Sequence, residues 1–208
     1  MLQTQTIEPG TLSLLKRLLQ MPALMNFSLV GGTALALKYG HRTSVDIDLF
    51  THMPFTNQEI IEALEVEFGN EFVIQLNKEK FGIFGFIQNI KLDIIKHPHP
   101  LLREPETIAG IRMYHSDDIA AMKVNAILGR GKKKDFWDLA ELLKHYSLKD
   151  ISGFYKHKFP KQELLISIPY ALTWFDDADE SEDPISLKGQ TWEAVKKFIQ
   201  QKVSDYLR

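Results

Sequence analysis

The chain has 208 residues, 44% of them hydrophobic, and no cysteine. That suffices for one generous domain or two small ones sharing an interface, and it excludes a disordered chain, disulfide staples, thiolate zinc sites and a cysteine nucleophile. A formal charge of -2 and a pI near 6.4 argue against wholesale coating of nucleic acid and leave room for a local basic groove.

No apolar run approaches the roughly 18 residues a membrane span needs, and the amino end lacks the basic-then-apolar pattern of a signal peptide. A cytoplasmic protein with no membrane partner is expected. In chain order, Leu12, Leu15 and Leu19 predict an amphipathic helix over Thr11 to Gln20, closed by Pro22. Phe27 to Val30 is a short apolar strand ending at Gly31 and Gly32, and Thr33 to Tyr39 reads as helix with Gly40 as a left-handed cap. Val45 to Phe50 has strand periodicity, and Thr56 with Glu59 forms a capping box for a helix through about Phe68. Phe81 to Ile87 and Ile90 to Ile95 read as a hairpin turning at Gln88 and Asn89, and His97 to Pro105 as a connector. Beyond it, helical periodicity covers Asp117 to Leu128, Asp135 to Tyr146 and Trp192 to Tyr206, so the carboxyl half is mainly helical.

The period of two sends Asp46 and Asp48 to one side of their strand and Ile47 and Leu49 to the core, with Val45 and Phe50 also expected to be buried. Like charges that close repel, and the remedies are protonation, a cationic partner or a hard metal ion. Magnesium suits such a pair because it takes carboxylate oxygens and completes its shell with water and phosphate. The turn from strand to helix at Gly31 and Gly32 offers backbone N–H groups and a positive helix end to an anion, and Thr33 adds a hydroxyl. Either feature alone has an ordinary structural explanation, as a solvated edge or a common turn. Together they would compose the two parts of one triphosphate site if the helix between them brings both to the same edge of the sheet.

Gly31 and Gly32, a linker of thirteen residues, then alternating aspartate and aliphatic residues resemble the defining pattern of the polymerase beta type nucleotidyltransferase superfamily. That resemblance implies a third carboxylate on a neighbouring strand, and Asp93 in IKLDII fits, with pairing to Lys91 or Lys96 as the structural alternative. Two magnesium ions would then be held by Asp46, Asp48 and Asp93. Arg42 reads as a phosphate clamp, and His41 beside it as structural.

In the helical half, Lys123 lies on or beside an apolar stripe with Ile119, Met122, Ala126 and Ile127. Its ammonium either snorkels to water or points into the cleft toward the triphosphate. Arg130, Lys132, Lys133 and Lys134 precede a helix whose amino end disfavours positive charge, so they read as a landing strip for nucleic-acid phosphates or as a solvated charge run. Asp135 and Asp138 read as an N-cap and a first-turn acid. The acidic run Asp176 to Asp183 is expected to stay clear of the groove.

GGTALALKYGHRTSVDIDLF, LDII, DDIAAMKVNAILGRGKKKDFWDLAELL and ALTWFDDADESEDPISL before TWEAVKKFI resemble the AbiEii/AbiGii type nucleotidyltransferases from about Phe27 to the end. The resemblance implies an α+β fold: a polymerase beta type nucleotidyltransferase core over 1–110, a short mixed sheet with helices on one side, and a helical domain over 111–208 packing on it. It further implies a toxin of a bacterial toxin-antitoxin or abortive-infection system. Such a toxin transfers a nucleoside monophosphate from a nucleoside triphosphate to an acceptor hydroxyl, with the 3' end of tRNA as acceptor and an antitoxin protein as partner. Gly32 and Thr33 would match the triphosphate site, Asp46 and Asp48 the metal ligands, and Lys123 and Asp135 the catalytic residues of the helical half. Serine stands at Thr33 and arginine at Lys134 in other members, and the chain is shorter than toxins with a known substrate. A small-molecule acceptor, which calls for an enclosed acidic pocket, and an inactive interaction module are the alternatives.

Overall fold

The computed structural model describes residues 1–75 and 82–208. Pro9 starts α1 (Pro9–Gln20) two residues ahead of the leucine pattern, because its fixed φ suits the first turn and its missing N–H is not needed there. A two-residue strand, β1 (Ser28–Leu29), passes through Val30 into α2 (Gly31–Tyr39). The helix begins at the first glycine of the pair rather than at Thr33, with Gly31 in the left-handed region at φ +72°. Gly40 caps α2 as expected, its N–H donating to the Ala36 carbonyl over 2.8 Å.

Strand β2 (Ile47–Thr51) starts after Asp46, and Val45 is 61% exposed, against the expectation that it is buried. The reason is tertiary. The Thr43 and Ser44 N–H groups donate to the carbonyls of Ile185 and Thr6, so the backbone here is held by other segments before it can join a ladder. Helix α3 (Asn57–Phe68) forms as expected, but Thr56 makes no side-chain cap bond, and burial of Ile60, Leu64 and Phe68 holds the helix instead.

Strand β3 (Phe72–Ile74) precedes the hairpin of β4 (Gly82–Ile87) and β5 (Ile90–Lys96); Phe81, placed at the start of this hairpin by its sequence, lies outside the described residues. Gln88 and Asn89 turn it with φ of 52° and 66°, the two left-handed residues that match the twist of flanking strands. After the proline-rich connector comes a hairpin that periodicity did not reveal, β6 (Glu106–Ile108) and β7 (Ile111–Met113), turning at Ala109 and Gly110. Three residues are too few to register a period of two.

The helical half comprises α4 (Ser116–Gly129), α5 (Lys133–Leu142), α6 (Leu148–Lys158), the single turns α7 (Ile168–Ala171) and α8 (Asp176–Asp179), and α9 (Trp192–Leu207). Helix α6 carries a complete capping box between Ser147 and Asp150. Helix α5 starts at Lys133 and stops four residues short of Tyr146, so Asp135 is inside the helix and is not its N-cap.

Among the described residues the strands form one mixed sheet in the order β3-β4-β5-β2-β1-β7-β6. β2 and β5 run parallel with Asp48 directly opposite Asp93, and β7 joins β1 in parallel through Leu29 and Met113. The sheet therefore extends to Met113. One hydrophobic cluster joins the sheet residues Leu29, Leu49 and Leu92 to Ile119, Val124, Trp137 and Ile199 of the helices. No helix of the described residues is long and apolar enough to cross a membrane.

Candidate active site

The site is set by two backbone facts. Parallel pairing puts Asp48 beside Asp93, and the Val30 N–H donates to the Asp48 carbonyl over 2.9 Å, which draws the start of α2 against the same carboxylates. A Cβ on Gly31 would stand 2.8 Å from Asp48 Oδ2. Only glycine fits there. A Cβ on Gly32 would run into the Arg42 guanidinium, so the second glycine is required by packing as much as by phosphate approach.

Asp46, Asp48 and Asp93 line one cleft of about 440 Å³ together with Gly31, Gly32, Arg42, Lys123, Arg130 and Lys134. Burial, then the charge of Asp93, and more weakly that of Asp46, push the Asp48 carboxyl up to about 6. Asp93 is paired with Lys91 through Oδ2, while its buried Oδ1 has no partner. Asp46 leans to Lys134, Nζ to Oδ2 3.4 Å. Among the described residues no group of three or more His, Asp or Glu side chains stands together at metal-holding distances. The donor set nevertheless fits a hard divalent cation: carboxylates only, crowded enough to raise one of them, with an unpaired oxygen beside a phosphate-type turn.

Thr33 is buried, and its hydroxyl donates to the Asp46 carbonyl and meets Ser44 Oγ at 2.8 Å. It shapes the segment leading to Asp46 and is absent from the cleft wall. Behind the wall lies a buried ion network centred on Asp138. Arg42 donates to it twice, Nε to Oδ1 over 2.7 Å and Nη2 to Oδ2 over 2.9 Å; His41 Nε2 donates over 2.7 Å, and Lys123 Nζ lies 2.6 Å from Oδ2. Burial alone would raise Asp138, yet Arg42 and Lys123 outweigh it and hold the carboxyl well below its ordinary range.

Lys123 also donates to Asp135 Oδ1 over 3.0 Å, and Arg130 Nε donates to Asp135 Oδ2 over 3.1 Å. Burial works against the Lys123 ammonium, but Asp138 and Asp135 raise its pKa above the usual value. Asp135 is fully buried and reaches the cleft only through Lys123 and Arg130. Sequence reasoning gave Asp138 only the role of a first-turn acid. The available signal was its spacing of three from Asp135, which puts both acids on one helix face, together with Lys123 on an apolar stripe.

The basic segment divides. Arg130 and Lys134 line the cleft with 55% and 40% of their side chains exposed, and Lys132 is exposed nearby. Lys133 turns away to pair with Asp183 at 2.7 Å and is largely covered. The acidic run does not stay clear of the site: Glu180, Glu182 and Asp183 line a second cleft of about 610 Å³ that shares Arg42, Asp46 and Lys134 with the first. Its position is fixed by backbone bonds, Thr43 N–H to the Ile185 carbonyl at 2.9 Å and Leu187 N–H to the His41 carbonyl at 3.0 Å, which repulsion between exposed charges does not overcome.

A mixed sheet carrying carboxylates opposite one another on parallel strands, beside a glycine turn that opens a helix, with a helical half closing the cleft, is the arrangement that the nucleotidyltransferase resemblance implies. The comparisons agree. The chain belongs to the AbiEii family: residues 13–201 match the family model described as "Nucleotidyl transferase AbiEii toxin, Type IV TA system". It is 34% identical over 200 residues to the "Uncharacterized protein aq_aa25" of Aquifex aeolicus (strain VF5), covering 93% of this chain and 94% of that one. Two solved structures share the fold. JHP933 from Helicobacter pylori has a TM-score of 0.59 at 20% identity, covering 98% of this chain and 92% of that one. MenT4, a nucleotidyltransferase toxin from Mycobacterium tuberculosis H37Rv, has a TM-score of 0.55 at 15% identity, covering 86% of this chain and 76% of its own.

Proposed function

We propose that the protein transfers a nucleoside monophosphate from a nucleoside triphosphate to a hydroxyl at the 3' end of tRNA, as the toxin of a toxin-antitoxin pair. One observation carries the chemistry: Asp48 and Asp93 face each other in register beside the Gly31–Gly32 helix start, with Asp48 pushed up to about 6. Asp46, Asp48 and Asp93 are the residues that would hold two magnesium ions. Bound there, the ions would supply charge neutralisation at the phosphates and a lowered pKa for the attacking hydroxyl.

The N–H groups at the start of α2 receive the triphosphate, and Arg130, aimed by Asp135, neutralises it from the opposite wall, with Lys123 adding its charge from within that wall while paired to Asp135 and Asp138. Arg42 acts from behind Gly32, where both its fork nitrogens are already committed to Asp138, so it holds the glycine turn and Lys123 in place. The acceptor oxygen forms a bond to the α phosphorus as the bond to the pyrophosphate oxygen breaks, and its proton passes to the unpartnered Oδ1 of Asp93. Exposed Lys132 and Lys134 give an acceptor's phosphates a landing point. Family membership supports an antitoxin partner.

A cationic small-molecule acceptor draws on a different observation, the second cleft that opens on Asp46, where Glu180, Glu182 and Asp183 stand among Arg42, Lys132 and Lys134. Transfer of label from each of four α-labelled nucleoside triphosphates to bulk tRNA, with magnesium, separates the two. Labelled tRNA that disappears in Asp48→Asn supports the first reading, whereas label on an added aminoglycoside and none on tRNA supports the second.

A further inference from the structure

The cleft has a second chemical character that phosphates and metals leave unused. Period two carries its floor from Asp48 to Phe50 on β2 and from Asp93 to Ile95 on β5, with His97 just past the end of that strand. His97 stands four residues beyond Asp93, roughly 13 Å at about 3.3 Å per residue. Phe159, just past α6, closes this end with ring centroids 6.0 Å from His97 and 4.6 Å from His99, and Phe50 lies 5.7 Å from His97 on the other side. From the helical half, Ile119 and Met122 of α4 line the same cleft, as does Arg130 just past that helix.

A buried ion pair stands behind this end. Lys158 is fully buried, donating to Asp118 Oδ1 over 2.6 Å and to the Pro100 carbonyl over 3.0 Å, and Asp118 accepts from the Leu102 and Arg103 N–H groups. The connector after His97 and the end of α6 are thereby locked together. Burial, then the charge of Lys158, then His99, push the His97 imidazole down to about 3, so the ring is neutral. Its Nε2 is buried without a partner, which costs free energy until a ligand supplies one.

We propose that this aromatic end of the cleft seats the nucleobase of the triphosphate, and that His97 discriminates among bases through a hydrogen bond at Nε2. The inference rests on the nucleotidyltransferase reading. Its physical logic is that a base has apolar faces and a polar edge. Phe50 and Phe159, which flank His97, offer the base apolar contact, the neutral imidazole meets its edge, and the span from Asp93 to His97 suits a ribose and base extending from a phosphate at the carboxylates. A polyphosphate tail is excluded from this end because its buried cation is consumed by Asp118.

The test is calorimetric binding, with magnesium, of the α,β-methylene analogues of ATP, CTP, GTP and UTP and of inorganic tripolyphosphate, to wild type, Phe159→Ala and His97→Phe. Wild type should prefer one base. Phe159→Ala should raise the analogues' Kd about tenfold and leave tripolyphosphate unchanged. His97→Phe should retain most of the affinity while the ratio among bases falls toward one, and His97→Asn, which keeps a polar edge, should restore a preference. Wild-type indifference to the base, equal losses for tripolyphosphate, or unchanged analogue binding with only the acceptor KM raised would overturn the base seat alone. Wild type that binds neither analogue nor tripolyphosphate would overturn the nucleotidyltransferase reading as well.

Discussion

Asp138→Asn is expected to be among the most damaging single substitutions in the helical half, although Asp138 does not line the cleft. Its carboxylate is fully buried and receives Arg42 twice, His41 once and the Lys123 ammonium at 2.6 Å. The amide keeps the shape but leaves two buried cations sharing no adjacent charge except Asp135, and removing one partner of a buried ion pair costs about 3–5 kcal/mol. For a chain of this size that is a fall in Tm of roughly 6–20 °C. Asp138 has its pKa depressed from an ordinary 3.8, so its contribution is present in full above pH 3.8 and is lost as the pH falls toward the lower folded value. The gap between wild type and variant should therefore be constant from pH 5 to 8 and narrow below pH 4. Urea unfolding followed by circular dichroism measures it. A loss under 1 kcal/mol at pH 7, or a gap that widens in acid, would refute the network as the support of this wall.

Asp48→Asn should abolish transfer yet stabilise the metal-free protein. Because the Asp48 carboxyl is raised from 3.8 to about 6, the wild type loses stability as pH rises through that window, and relieving it is worth up to about 3 kcal/mol at pH 8, read as a higher Tm in chelator. Magnesium should raise the wild-type Tm and leave the variant nearly unmoved, which differential scanning fluorimetry checks. Gly32→Ala places a methyl group on the Arg42 guanidinium, so it should lower both Tm and triphosphate affinity, whereas Gly10→Ala, with nothing near its Cβ, should be silent in both assays. Lys134→Ala should raise the acceptor KM and flatten its salt dependence, while Lys133→Ala, already paired with Asp183, should change the KM less than twofold in the same steady-state assay.

Much of this was open to reading along the chain. Glycines before an apolar run, a left-handed Gly40, an Asn-containing two-residue turn and alternating aspartates are local signals, each fixed by sterics within a few residues, and β2, β5 and α2 formed where those signals lie. The misreadings around the site involve partners far along the chain. Val45 is exposed because Thr43 and Ser44 bond to residues 185 and 6. Asp138 and Lys133 look like ordinary helix-terminal charges until Arg42 and Asp183 arrive from elsewhere.

The sequence by itself determined the carboxylate pair, the glycine turn and the helical character of the carboxyl half, because period, turn chemistry and capping act over a handful of residues. Tertiary structure decided which charges were free to meet a substrate. Parallel pairing set Asp48 against Asp93, burial assigned Arg42 and Lys123 to Asp138, and packing of α6 on α4 brought Phe159 to His97. A charge takes its role from whatever lies within a few ångströms of it, and those neighbours come from parts of the chain tens of residues apart.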